Sequence, residues 1–242
     1  MTTGTTGGAT GAQTGTQTGA RTGGATRTLD FGRKGPAKGT SLVVLLHGYG
    51  ADGADLLGLA DVMDTHLPNT VFIAPDAPEP CAGNPFGRQW FPIPWLDGSS
   101  EEAAKQGMAA AQEDLRAFLQ QRMDEEGVTP AETALVGFSQ GTMMSLHLAP
   151  RWPAPFAGVV AFSGRLLSPE TLAAEAVSKP PVVLIHGDDD QVVPFEDMNR
   201  AGVALQAAGF DVYGHVMKGT GHGIAPDGLG VALQFLKERL PG

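Results

Sequence analysis

Residues 134–144 read ALVGFSQGTMM, and this stretch is the strongest indication of fold and chemistry in the chain. Ala134–Gly137 has the apolar character of a buried strand, and a segment of helical pattern begins at Gln140. Between them, Gly137-Phe138-Ser139-Gln140-Gly141 matches the pattern G-x-S-x-G. A serine on a tight turn from strand to helix is typical of a nucleophile elbow, whose strained backbone exposes the hydroxyl. The flanking strand and helix favour this interpretation over a chance match in a glycine-rich chain.

Apolar runs alternate with segments of helical period along most of the chain. The predicted strands are Ser41–Leu46, Val71–Ala74, Ala134–Gly137, Gly158–Phe162, Val182–Ile185 and Val212–Met217. The predicted helices are Ala54–His66, Glu101–Glu126, Gln140–Pro150, Pro169–Val177, Phe195–Ala208 and Pro226–Leu240. Two of the strands are continuously apolar, as expected where helices cover both faces of a parallel sheet. The sequence therefore predicts an α/β fold with a mostly parallel central sheet and helices on both faces.

Composition separates the first 28 residues from the rest. The chain has 242 residues and 34 glycines, and residues 1–28 hold eight of these glycines beside eleven threonines. Because this segment has almost no aliphatic side chain to bury, we expect a disordered tail there. Residues 29–242 suit a single globular domain.

Charge and cysteine content narrow the function class. A formal net charge of −10 argues against nucleic acid and against stable association with anionic membranes. No apolar stretch approaches the roughly 20 residues that span a bilayer, and no secretory signal is evident. Cys81 stands alone, which excludes an intramolecular disulfide and a cysteine-based zinc site. We expect a cytoplasmic protein that uses no metal and no cofactor.

A nucleophilic serine needs a base and an acid that orients the base. Among six histidines, His222 lies between glycines in a loop that precedes the last helix, downstream of Ser139. The acid is expected in Asp188-Asp189-Asp190, which follows a buried strand, although such a run could equally be a solvated turn that caps the next helix. The order serine, aspartate, histidine is that of α/β-hydrolases. The pattern alone leaves the choice among the three aspartates open.

Two backbone donors are expected to stabilise an oxyanion at this serine. One is the N–H of Gln140, which directly follows the nucleophile. The other is expected in His47-Gly48-Tyr49-Gly50, after the first predicted strand, most plausibly the N–H of Tyr49.

Residues 75–100 form a long connection with six prolines and no regular period. It contains Phe86, Trp90, Phe91 and Trp95. Two interpretations stay open from the residues alone: a proline-stiffened loop that packs its own aromatic side chains, or an apolar wall for a ligand.

Four motifs in order resemble the phospholipase/carboxylesterase family of α/β-hydrolases, which includes acyl-protein thioesterases and small bacterial carboxylesterases. These are LLHGYGADGADLLGLA, VGFSQGTMM, HGDDDQVVPF and KGTGHGIAPDGL, and the likeness covers residues 29–242. The resemblance implies Ser139 as nucleophile, His222 as base and Asp190 as the acid. It also places RQWFPI (Arg88–Ile93) beside the active site, which implies a substrate pocket lined by Trp90, Phe91 and Trp95. Tyr49 stands where the family often has leucine, and the tail has no counterpart.

The resemblance implies a serine carboxylesterase that acts through an acyl-enzyme. Because no interfacial amphipathic lid is evident in the sequence, we expect short- to medium-chain carboxylic esters as substrates. An acyl-(protein) thioesterase or a lysophospholipase with the same triad is the alternative, and a peptidase or a non-catalytic binding protein on this fold is disfavoured. The expected partner is a small-molecule ester, with assembly into a homodimer left open.

Overall fold

The computed structural model describes residues 26–81 and 84–242 of the chain. Its strands are β1 (Phe31–Lys34), β2 (Ser41–Leu46), β3 (Thr70–Pro75), β4 (Glu79–Cys81), β5 (Asn84–Gln89), β6 (Thr133–Phe138), β7 (Gly158–Phe162), β8 (Val182–Gly187) and β9 (Val212–Met217). Its helices are α1 (Gly53–Leu57), α2 (Ala60–Met63), α3 (Pro94–Asp97), α4 (Glu101–Glu126), α5 (Gln140–Leu148), α6 (Pro169–Glu175), α7 (Glu196–Ala207) and α8 (Pro226–Arg239). Every predicted strand and helix is present. Glu101–Glu126 and the strands Ser41–Leu46, Gly158–Phe162 and Val212–Met217 have the predicted bounds, the other ends are shifted, and the first predicted helix is divided at Gly58.

A seven-stranded sheet in the order β1-β3-β2-β6-β7-β8-β9 forms the centre of the fold. β1 pairs antiparallel with β3, and the other neighbouring strands pair in parallel. The mostly parallel sheet is thus confirmed. The sequence did not predict β1, whose short FGRK segment lies half exposed at the sheet edge and has no apolar run to reveal it.

Two hydrophobic cores lie on opposite faces of the sheet because successive side chains of a strand point to opposite sides. In β2, Leu42, Val44 and Leu46 join one core, which α4, α5, α6 and α7 cover. Val43 and Leu45 join the other core, which α1, α2 and α8 cover. Helices on both faces therefore explain why β2 is apolar throughout, as predicted.

The long connection over residues 75–100 contains regular structure that the sequence did not predict. β4 and β5 form an antiparallel hairpin, and α3 follows it. Arg88 in β5 also bridges to the loop after β2: its N–H donates to Ala51 O, and its carbonyl accepts from Gly50 N–H, each at 2.8 Å. The pairing of β4 with β5, and of β5 with a loop distant in sequence, produces regular structure that apolar periodicity does not indicate.

The boundary predicted after residue 28 needs a correction. Residues 1–25 of the predicted tail lie outside the described residues, but Arg27 is anchored to the domain. Its backbone N–H and Nε donate to the two carboxylate oxygens of buried Asp114 at 2.7 and 2.6 Å, and its Nη1 lies 3.2 Å from Glu79 Oε1. Contacts with the domain therefore include Arg27, which precedes the predicted start at residue 29. Within the described ranges, no helix is long and apolar enough to cross a membrane.

Candidate active site

Ser139 lies between β6 and α5 in a strained conformation. Its φ is 54° and its ψ is −113°, and its N–H donates to Phe162 O in the neighbouring strand β7 at 2.9 Å. The turn is so tight that a Cβ added to Gly137 would lie 2.5 Å from Gly141 O, and one added to Gly141 would lie 1.9 Å from Leu46 O. Glycine is therefore required on both sides of the serine, as the G-x-S-x-G pattern indicated.

His222 and Asp190 form a hydrogen-bonded pair at the same edge of the sheet. Asp190 Oδ2 lies 2.8 Å from His222 Nδ1, and Asp190 Oδ1 accepts the backbone N–H groups of Val192 and Val193 at 2.8 and 2.9 Å. Burial opposes ionisation of Asp190, but the hydrogen bonds from His222, Val193 and Val192 outweigh it and hold the pKa of the carboxyl below its usual value. The ionised carboxylate fixes a hydrogen on His222 Nδ1, which leaves Nε2 as the unprotonated nitrogen of the neutral ring.

The neighbouring aspartate Asp188 has a different task. Its Oδ1 accepts Gly219 N–H at 2.7 Å, and its Oδ2 lies 3.0 Å from Lys218 Nζ. Asp188 therefore holds the loop that carries His222, whereas Asp190 contacts His222 itself. The structure in this way separates two residues that the local pattern could not distinguish.

The His222 ring packs against Phe138, the residue before Ser139, with ring centroids 4.9 Å apart. Among the described residues, Ser139 Oγ makes no hydrogen bond to the ring. Such bonds are often long in ligand-free sites and shorten when substrate binds. The packing places the His222 ring against the residue that directly precedes Ser139.

His186 is a buried partner of the same carboxylate that sequence reasoning did not identify. Its Nε2 lies 3.0 Å from Val193 O, to which it donates, and 3.3 Å from Asp190 Oδ2. His186 is the second-last residue of strand β8, and its side chain is 2% exposed. Its position two residues before the aspartate run was the available signal. His186 therefore packs beside Asp190 as a second buried histidine next to the same carboxylate oxygen that contacts His222.

The two predicted oxyanion donors belong to segments next to Ser139, since Gln140 follows it directly and Gly48, which precedes Tyr49, packs against it. A Cβ added to Gly48 would lie 3.3 Å from Ser139 Cβ, so the peptide between Gly48 and Tyr49 borders the serine. His47 Nδ1 and the N–H of Ala51 bond to Gly48 O at 2.7 and 3.4 Å. Because C=O and N–H point to opposite sides of a trans peptide, these bonds turn the Tyr49 N–H away from His47. Within the described residues, this N–H has no hydrogen-bond acceptor.

His47 is held in one neutral tautomer. The N–H of Ala77 donates to His47 Nε2 at 2.9 Å, so the ring hydrogen lies on Nδ1 and is donated to Gly48 O. Burial lowers the pKa of His47 despite that backbone contact, which favours the neutral ring. His47 is therefore a positioning residue for the Tyr49 N–H, a role that the sequence stretch HGYG did not reveal.

The Gln140 side chain connects the start of α5 to the segment that contains Trp90 and Phe91. Its Oε1 accepts Trp90 N–H and its Nε2 donates to Phe91 O, both at 2.8 Å. The Trp90 indole N–H in turn donates to His47 O at 3.0 Å. Gln140, Trp90 and His47 thus form a chain of hydrogen bonds that links the loop after β2 to the start of α5.

The predicted aromatic pocket requires a correction. Trp90 is 0% exposed, because its indole fills the core beneath the loop and cannot contact a substrate there. Phe91 is 7% exposed and also belongs to the core. Trp95 in α3 is 65% exposed and stacks on Arg165, with Cζ 5.5 Å from the ring centre. Of the three predicted residues, Trp95 alone presents its ring to solvent. Over the described ranges, no group of three or more His, Cys, Asp or Glu side chains is arranged to hold a metal ion.

Comparisons with known proteins give one consistent family. A family model described as phospholipase/carboxylesterase matches residues 33–240. Esterase YpfH of Escherichia coli is 31% identical over 200 residues, covering 83% of each chain. Acyl-protein thioesterase 1 of Gibberella zeae is 30% identical over 219 residues, covering 84% of this chain and 92% of that protein. The crystal structure of esterase PE8 superposes with a TM-score of 0.84 at 45% identity, over 88% of this chain and 100% of that one.

Proposed function

This chain belongs to the phospholipase/carboxylesterase family of α/β-hydrolases, and we propose that Ser139, His222 and Asp190 are the triad with which it hydrolyses carboxylic esters. It is a serine hydrolase, as its esterase and thioesterase relatives indicate. One observation carries the assignment of residues: the Asp190–His222 pair, 2.8 Å apart, lies beside a serine held at φ 54°. Serine, base and orienting acid are what acyl transfer by a covalent route requires.

In the first step, Ser139 Oγ attacks the ester carbonyl while His222 Nε2 takes the hydroxyl proton. Asp190 keeps the ring in the correct tautomer and stabilises the imidazolium that forms. His222 then gives the proton to the departing alcohol, and the acyl group remains on Ser139 as an ester. Water repeats the sequence and releases the carboxylic acid.

The negative charge that develops on the carbonyl oxygen is stabilised by the N–H groups of Gln140 and Tyr49. Gln140 opens helix α5, where unsatisfied N–H groups and the helix dipole favour an anion. The hydrogen bond from His47 to Gly48 O turns the Tyr49 N–H away from His47, which supports its role as a donor to the oxyanion. Removing one such donor typically costs about 2.7–4 kcal/mol of transition-state stabilisation.

We further propose short- to medium-chain esters as substrates, with acyl-thioesters as the second candidate. The relatives named acyl-protein thioesterase 1 support the second candidate because the same triad cleaves either bond. The test compares kcat/KM for p-nitrophenyl esters of increasing chain length with kcat/KM for thioesters of the same acyl groups. The preferred series decides between ester and thioester substrates.

Labelling by a fluorophosphonate tests the nucleophile. We expect the wild-type chain to be labelled and Ser139→Ala to be unlabelled and inactive, whereas Ser163→Ala, which changes the strained serine after β7, remains labelled. Labelling that persists in Ser139→Ala would show that another residue is the nucleophile. A wild-type chain that neither reacts nor hydrolyses any ester would instead favour a binding protein on this fold.

The remaining expectations concern the setting of the enzyme. We propose a single catalytic domain over residues 29–242, extended by the anchor at Arg27, that acts on a small-molecule ester in the cytoplasm. Net charge −10 supports the expectation that neither nucleic acid nor anionic membrane is a partner. Gel filtration with light scattering tests the homodimer, and cell fractionation tests the compartment.

A further inference from the structure

Arg165 lies close to Ser139 although it takes no part in the triad. Ser139 N–H bonds to Phe162 O, and a Cβ added to Gly164 would lie 2.8 Å from Ser139 O. Arg165 is the next residue. The backbone of Arg165 therefore leaves the sheet directly beside the elbow, on the edge where the C-terminal ends of parallel strands bind ligands.

The guanidinium of Arg165 is held in place from two sides. Its Nη2 lies 2.7 Å from Asp197 Oδ2, and its Cζ lies over the exposed ring of Trp95. The Nε of Arg165 is buried and has no hydrogen-bond partner among the described residues. The side chain is 31% exposed. Arg165 is thus oriented by its neighbours while part of its side chain stays accessible to solvent.

A cleft of about 120 Å³ opens next to this guanidinium. Arg200 lines the same cleft and shares the carboxylate, with Nη1 3.1 Å from Asp197 Oδ1. Two guanidinium groups therefore face one carboxylate, which leaves the cleft with an excess of positive charge. The floor is apolar, formed by Leu166, Pro169 and Ala201.

We propose that this cleft binds a carboxylate carried by the substrate, so that the enzyme favours esters whose far end is a carboxylate. A guanidinium presents paired N–H donors that match the two oxygens of a carboxylate, and the apolar floor accommodates the methylenes between carboxylate and ester. The proposal rests on the proposed function, since it names the substrate class of that same site. Because the chain as a whole carries −10, its long-range field repels anions, and the preference must come from local contact.

Two pairs of substrates test this preference and distinguish the acyl side from the alcohol side. The acyl pair is the mono-p-nitrophenyl ester of glutaric acid and the same ester with a primary amide in place of the free carboxylate. The alcohol pair is 4-carboxyphenyl butyrate and 4-carbamoylphenyl butyrate. In each pair the two compounds have nearly the same shape and differ in charge. The measured quantity is the ratio of kcat/KM for the anionic ester to that for the neutral ester.

We expect the ratio to fall at least about tenfold in Arg165→Gln for one of the two pairs, because a charged hydrogen bond to the carboxylate is lost. Arg165→Lys keeps the charge without the planar fork and should give an intermediate ratio. Arg116→Gln is the matched control: Arg116 also stacks on a tryptophan, Trp152 at 4.9 Å, but lies on α4. It should keep the wild-type ratio. Thermal unfolding of each variant verifies that it folds.

The subsite would be overturned if, for both pairs, Arg165→Gln and the wild type gave the same ratio of kcat/KM. A variant that loses activity equally toward anionic and neutral esters would give this result. That result leaves ester hydrolysis itself intact. If the wild type hydrolyses none of the four esters, the proposed function fails instead, so the two failures are distinguishable.

Discussion

Gln140 and Trp90 are joined by a hydrogen bond of 2.8 Å between the amide oxygen of the glutamine side chain and the backbone N–H of the tryptophan. Gln140, whose backbone N–H we propose as one oxyanion donor, thereby holds through its side chain the segment that bonds to His47, next to the other proposed donor. The bond relates two segments 50 residues apart and gives both donors a common frame.

Gln140→Leu should break this connection while it preserves most of the volume. Trp90 N–H and Phe91 O would lose their buried partner, and the Tyr49 donor would lose part of its support. We expect kcat to fall about 10- to 100-fold, with a smaller change in KM, because misplaced catalytic groups act mainly on the transition state. Steady-state kinetics on a p-nitrophenyl ester measures this. Gln112→Leu, on α4, is the control, and an equal loss of kcat there would contradict the special role of Gln140.

Asp190→Asn and Asp188→Asn form a matched pair. Asn at 190 no longer fixes the hydrogen on His222 Nδ1 and cannot stabilise the imidazolium, so we expect kcat to fall by roughly 10⁴-fold. Asp188→Asn loosens the loop at Lys218 and Gly219 but leaves the ring partner intact, so the loss should stay within about tenfold. Comparable losses in both variants would contradict the assignment of Asp190 as the orienting acid.

His147 should make stability depend on pH. Burial, together with the nearby charge of Arg151, lowers the pKa of His147 to about 4 in the folded chain, from 6.5. Between these values the unfolded chain binds a proton that the native chain does not bind. The free energy of unfolding therefore falls as pH drops from 6.5 to about 4, by up to about 1.4 kcal/mol per pH unit for one proton.

Urea unfolding at pH 7 and pH 5 checks this expectation. The drop in stability between the two values should be smaller in His147→Gln than in the wild type. His66→Gln, at an exposed position, should keep the wild-type drop. If both variants behave alike, His147 does not contribute to the pH dependence.

Two truncations test the anchor at Arg27. Deletion of residues 1–25 retains the bonds to Asp114 and should leave activity and thermal stability unchanged. Deletion of residues 1–28 leaves the Asp114 carboxylate buried without its partner, which we expect to cost about 1–3 kcal/mol. Chemical unfolding of both proteins, beside kinetics on one ester, measures the difference. Equal stability of the two proteins would contradict the anchor.

The sequence by itself determined the alternation of strands and helices, the elbow around Ser139, and the order of serine, acid and histidine. The alternation and the elbow are local features, because the period of apolar residues and the need for glycine at a tight turn act within a few residues. The two-sided burial of β2 was also readable, since a strand covered on both faces must be apolar throughout.

Tertiary structure alone decided which neighbouring side chains meet. Asp188 and Asp190 have the same chemistry and differ only in the direction in which the loop turns them, one toward Lys218 and the other toward His222. Trp90 and Trp95 are equally apolar in the sequence, but the pairing of β5 with the loop after β2 buries one and leaves the other over Arg165. Contacts between segments far apart in the chain set these directions. Apolar period and turn residues do not contain them, and only the family resemblance had indicated Asp190.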